Sequence, residues 1–148
     1  MKEEFYTLKG YKIKNEENLS SSMEDYIEMI FRLSEKSEEV RVSDLSQALN
    51  VQPPSTTKML KRLAKVGYVF YEKYGYINLT KKGKELGRKL LDRHKTIYEF
   101  LECIGVEKNI LEQTEILEHG VNDDVLDKIK KLTTFLKKCD EFKDNYYK

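Results

Sequence analysis

The sequence predicts a mainly α-helical chain, with an N-terminal winged helix-turn-helix carrying a small β-hairpin wing and a C-terminal helical dimerisation domain. Three observations carry this expectation. Apolar residues recur at helical spacing through most of the 148 residues. One stretch, Tyr68 to Leu79, is instead rich in aromatic and β-branched residues around Gly75 and reads as a hairpin. Charge is also divided along the chain. Residues 1–39 hold six basic and ten acidic side chains, 40–95 thirteen and four, and 96–148 eight and twelve. A basic middle between acidic flanks points to a polyanion partner for the middle third, with a merely solvated basic surface as the alternative.

Composition narrows the class further. Hydrophobic residues make up 39% and charged residues 36%, a polar balance suited to thin helical lobes that finish their core by dimerising. No apolar run approaches a membrane span, and Met1-Lys2-Glu3-Glu4-Phe5 is no signal peptide, so a cytoplasmic protein is expected. Cys103 and Cys139 lack C-x-x-C spacing, which argues against a thiolate zinc site.

In chain order, residues 1–19 show no sustained period and are expected to form an arm, partly disordered unless it packs on a neighbour. The DNA-binding domain is placed at 20–80. Ser21 and Glu24 fit a capping box for a helix whose apolar stripe is Met23, Tyr26, Ile27, Ile30, Phe31 and Leu33. Asp25 and Glu28 stand in its early turns, where carboxylates commonly just favour the helix dipole. Val42 to Asn50 reads as a short helix capped by Ser43. Val51-Gln52 makes a turn, and Pro53-Pro54 opens a second helix where missing N–H groups cost nothing. Met59, Leu60, Leu63 and Val66 are expected to point inward. Pro54, Ser55, Thr56, Thr57, Lys58, Lys61 and Arg62, with Ser43, are left for base edges and phosphates in a major groove. This polarity is that of a helix-turn-helix, and Lys73 and Tyr74 at the hairpin tip would meet the backbone or minor groove.

Residues 81–140 are assigned to a linker helix and a metal-binding and dimerisation domain, and 141–148 to a tail. Thr80 caps a long helix running to about Ile104, ended by Gly105 and bearing His94 midway. A further helix from about Glu107 ends in Glu115-Ile116-Leu117-Glu118-His119, with Gly120 suited to a left-handed terminus. Glu115, Glu118 and His119 stand at i, i+3 and i+4 and share one face that can bind a divalent cation. The same face also occurs as plain solvated surface. Asn122 caps a last helix whose apolar residues exceed what two short helices can bury, hence the expected homodimer.

Several local strings resemble the DtxR/MntR family of metal-dependent regulators, in its manganese-responsive branch. These are Ser22-Met23-Glu24-Asp25-Tyr26-Ile27-Glu28, Val42-Ser43-Asp44-Leu45, Ser55-Thr56-Thr57-Lys58-Met59, Leu79-Thr80-Lys81-Lys82-Gly83, Arg93-His94 and Glu115 through His119. The resemblance spans about Ser20 to Lys138. It implies a repressor that binds a near-palindromic double-stranded operator ahead of metal-uptake genes, with no small-molecule ligand besides metal ions. It implies metal ligands at Asp25, Glu28, His94, Glu115, Glu118 and His119, holding two Mn²⁺ ions per subunit with Glu28 and Glu118 bridging. In the iron-responsive branch the positions of Asp25 and Glu115 are Met and Cys, so the carboxylates here favour Mn²⁺ over softer ions. That branch also carries a C-terminal SH3-like domain, for which this chain leaves no residues. Fe²⁺ or Zn²⁺ response, a metal-independent winged-helix regulator and a two-metal hydrolase are the competing readings. The hydrolase lacks a separate nucleophile, base or substrate loop.

Overall fold

The computed structural model describes residues 5–14 and 19–148. In order, the elements are α1 (Leu8–Lys14), α2 (Ser21–Ser34), α3 (Val42–Leu49), α4 (Pro53–Lys65), β1 (Val69–Tyr71), β2 (Ile77–Leu79), α5 (Lys81–Cys103), α6 (Ile110–Glu118), α7 (Asp123–Lys138) and α8 (Asp140–Asn145). The winged helix-turn-helix and the C-terminal helical unit are thus both present. Two short helices were not expected: α1 within the arm and α8 within the tail. Residues 1–4 and 15–18 of the expected arm lie outside the described residues.

Local chemistry explains the boundaries and corrects three caps. The cap of α2 is Ser20, whose hydroxyl accepts from the Met23 amide at 3.2 Å, so Ser21 is already helical and Glu24 is free for another task. Helix α3 begins at Val42 rather than after Ser43; Asp44 accepts the Arg41 amide at 2.8 Å. Asn50, at φ +54°, makes the left-handed turn between α3 and α4 that asparagine tolerates. Pro53 and Pro54 occupy the first helical positions of α4, as expected. Thr80 accepts from the Gly83 amide and starts α5, and Gly105 at φ +85° follows its end. Gly120 is the third correction. It does not take the left-handed conformation; α6 closes with right-handed His119, and the Gly120 amide donates to the Leu117 carbonyl.

The first core joins α2, α3, α4, the hairpin and the start of α5, with Ile27, Ile30, Leu45, Leu60, Leu63 and Ile77 essentially sealed from solvent. Val66 was expected inside and is half-exposed instead, because it caps α4 just past the core. The strands pair antiparallel as Val69↔Leu79, Phe70↔Asn78 and Tyr71↔Ile77. The second core is small: Ile97, Leu101 and Leu126, with partly buried Phe100, Ile104, Ile110 and Ile129 around it. Helix α5 runs through both, packing against α2 first and against α6 and α7 further along. No helix of the described residues is long and apolar enough to cross a membrane.

Candidate metal centre and nucleic-acid interface

Three helices place ionisable side chains at one point. Asp25 and Glu28 are one turn apart on α2, His94 faces them from α5, and Glu115, Glu118 and His119 close the end of α6. Their donor atoms fall into two groups, each within 4.8 Å: Asp25, Glu115, Glu118 and His119, and Glu28, His94 and Glu118. Among the described residues, Glu118 alone belongs to both groups. All six residues singled out in the sequence are therefore brought together across 94 positions of chain.

The contacts are direct. His94 Nδ1 lies 2.8 Å from Glu118 Oε2 and 3.5 Å from Glu115 Oε1. His119 Nε2 lies 2.8 Å from Asp25 Oδ1 and 3.8 Å from both Glu115 Oε2 and Glu118 Oε1. Glu118 is sealed at 1% exposure, and Glu28 is also buried. Four carboxylates so close repel one another. Burial lifts the carboxyl of Asp25 above its ordinary value, partly offset by His119. Burial and then the charge of Glu118 lift both Glu28 and Glu115. His94 is raised by its hydrogen bond to Glu118. Arg32 answers part of the charge, its guanidinium 2.7 Å from Glu28. Clustered carboxylates, those of Asp25, Glu28 and Glu115 raised by burial and repulsion, together with two imidazoles fit a divalent cation of oxygen and nitrogen preference.

Two arginines and one acid escaped the sequence reading. Besides Arg32, the guanidinium of Arg93 on α5 pairs with Glu24 on α2 at 2.8 Å, both side chains being largely buried. Both partners lie in strings that carry the family resemblance, Ser22 to Glu28 and Arg93-His94, but neither string gave them a role.

The expected DNA face divides. Ser43, Pro54, Ser55, Lys58, Lys61 and Arg62 are exposed along α3 and α4, and Lys73 and Tyr74 are exposed at the wing tip. Thr57 is half-buried and lines a cleft of about 320 Å³ with Arg41, Ser43, Tyr71, Lys73 and Tyr74. Thr56 is the exception. It is fully buried, and its hydroxyl meets the Ser46 hydroxyl at 2.8 Å, while Ser46 also donates to the Val42 carbonyl. Thr56 therefore ties the two helices of the motif together and cannot reach a base. Arg41 was missed; it stacks on the Tyr76 ring at 4.6 Å and donates to its hydroxyl, beside the cleft.

Comparison with known proteins bears on both halves. The family model described as iron dependent repressor, N-terminal DNA binding domain, matches residues 18–77. The model for the metal binding and dimerisation domain of the same repressors matches 80–145. This chain belongs to the iron dependent repressor family. As a family member it is a regulator of transcription with DNA-binding, metal-binding and dimerisation functions, and the hydrolase reading falls with that assignment. It is 45% identical over 121 residues to the HTH-type transcriptional regulator MntR of Bacillus pumilus (strain SAFR-032), covering 81% of this chain and 84% of that one. Identity to the regulator of the same name from Bacillus subtilis (strain 168) is 43% over 120 residues, covering 80% and 84%. Among solved structures, the manganese regulator SloR superposes with a TM-score of 0.68 at 30% identity. The repressor ScaR with bound Zn²⁺ gives 0.63 at 28% identity. Each covers 76% of this family member, which spans only 54% of either solved chain.

Proposed function

We propose that this protein is a manganese-dependent transcriptional repressor whose six clustered side chains couple metal binding to DNA binding. The observation that carries the proposal is the composition of the cluster. Asp25 and Glu28 stand on a helix of the DNA-binding unit, Glu115, Glu118 and His119 on a helix of the dimerisation unit, and His94 on the helix that links them.

A bound divalent cation supplies the positive charge that this acidic cluster lacks. Two ions per subunit would be held, one by Asp25, Glu115, Glu118 and His119 and the other by Glu28, His94 and Glu118. Relief of the repulsion among these carboxylates would fix the relative orientation that the two units already show here. In a dimer this orientation sets the distance between the two α4 helices. Only spacings near one DNA turn, roughly 34 Å, let both dock in successive major grooves, which makes a near-palindromic operator the expected target. Metal at about 100 times its dissociation constant favours the docked arrangement by about 2.7 kcal/mol per site. That is nearly a hundredfold in competent population, enough for a switch.

Raw affinity rises from Mn²⁺ to Fe²⁺, so selectivity rests on which metal triggers the DNA-competent geometry. Asp25 and Glu115 are hard carboxylates that suit Mn²⁺ better than softer ions. The relatives named MntR, at 43–45% identity, support the same choice. The regulated genes would be those of metal uptake, and the site of action the cytoplasm. Gel shifts on candidate operators with Mn²⁺, anaerobic Fe²⁺, Zn²⁺ or chelator test the reading. Mn²⁺ should tighten binding at least tenfold over chelator. Equal affinity in those two arms would sink the mechanism, and a stronger response to Fe²⁺ or Zn²⁺ would reassign the metal.

A further inference from the structure

Outside the six clustered donors, Glu24 and Arg93 form a second layer across the same helices. We infer that Glu24, held in place by Arg93, is a positioning residue that fixes the tautomer and ring orientation of His119. The inference rests on His119 being a metal ligand.

His119 directs Nε2 into the cluster, 2.8 Å from Asp25. A neutral imidazole that ligates through Nε2 carries its proton on Nδ1, and that N–H needs an acceptor. Here Nδ1 is buried and has no hydrogen-bond partner among the described residues. The carboxylate facing it is Glu24, with Oε1 3.7 Å away. The other oxygen of Glu24 is anchored at 2.8 Å by the Arg93 guanidinium. Both partners of that pair are largely buried, at 14% and 18% side-chain exposure, so the carboxylate cannot swing freely into water. A shift of under 1 Å completes the Nδ1–H···Oε1 bond, and catalytic or ligating hydrogen bonds are commonly loose until the site is loaded. Glu24 also cannot be explained as half of a capping box, because the helix starts one residue earlier than such a box requires.

The experiment is a double-mutant cycle on Mn²⁺ affinity with E24A, H119A and the double variant, alongside imidazole ¹⁵N NMR of the Zn²⁺-loaded wild-type protein. H119A alone must weaken Mn²⁺ binding; if it does not, the ligand assignment fails and the inference goes with it. E24A should weaken Mn²⁺ binding 10- to 100-fold in the wild-type background. It should have little further effect once His119 is gone, because Glu24 acts through that ring. E24Q, which keeps an acceptor oxygen and the side-chain volume, should recover part of the loss and serves if E24A misfolds. The NMR should show His119 protonated at Nδ1. Equal losses from E24A in both backgrounds, no loss in the wild type, or an Nε2–H tautomer would each overturn the assignment.

Discussion

Glu118, common to both donor groups, is the residue whose environment the sequence describes least. Its spacing from Glu115 and His119 places it on one helix face, yet nothing local says that the face is sealed at 1% exposure against His94. Its negative charge lifts Glu28 and Glu115, so removing it relaxes the metal-free cluster. Glu118→Gln should therefore abolish Mn²⁺-dependent operator binding in gel shifts while leaving the metal-free melting temperature equal or higher. A lower melting temperature would mean that Glu118 holds the fold rather than the metal. The pH dependence has the same origin. His94 is raised in the fold, so its favourable protonation is fully present below its unfolded value near 6.5 and is lost as pH rises through the folded value. The raised Asp25, Glu28 and Glu115 carboxyls act with the same sign from about 4 upward. Between pH 8 and pH 6 the chelator-treated protein should become more heat-stable as pH falls, while the stabilisation added by Mn²⁺ shrinks because protons compete for the same atoms. Differential scanning calorimetry at both pH values, with and without Mn²⁺, reads both trends.

At the scale of elements, the contact between α2 and α5 decides whether the site exists. Gly87 allows it: a Cβ there would lie 2.6 Å from the Phe31 Cβ, closer than real side chains approach. Seven residues further along the same helix stands His94, opposite Glu28 and Asp25 on α2. Gly87→Ala should force the two helices apart, costing about 1–3 kcal/mol of stability. Mn²⁺ affinity should fall as well, because the α2 donors move relative to His94; calorimetric titration of the folded variant checks this, and unchanged affinity would show the helices to be independently placed. The helix-turn-helix teaches a different lesson. Alternation of apolar and polar residues located α4 and most of its inner face, since Leu60 and Leu63 are buried. It misplaced Thr56, because a threonine hydroxyl suits both a base edge and a buried hydrogen bond, and only the position of Ser46 on the neighbouring helix distinguishes them.

For the whole molecule, the second core is too small to stand alone. Three buried apolar residues anchor it, while Val125, Leu132 and Phe135 line an exposed stripe of α7 at 45%, 46% and 64% exposure. Exposed apolar surface of this kind marks an association face. Introducing Leu132→Glu with Phe135→Glu should shift the homodimer toward monomer in sedimentation, and DNA binding should fall with it even at saturating Mn²⁺, because one recognition helix cannot span two half-sites. A dimer that survives both changes would place the interface elsewhere.

By itself the sequence determined the kinds of element and their order, because helical periodicity, the Pro53-Pro54 start, the Thr80 and Asn122 caps and the aromatic hairpin are local properties of the chain. It also nominated all six clustered donors, through two short spacings and the family strings. Local pattern could not contain the meeting of Asp25 with His119, which only the family resemblance implied, nor that of Arg93 with Glu24, since these pairs are 94 and 69 positions apart. Those contacts follow from how closely α2, α5 and α6 pack, and so did the burial that raises the carboxylates. Tertiary structure turned three unremarkable helix faces into one acidic, partly sealed cluster, because charges interact through distance and solvent rather than along the chain.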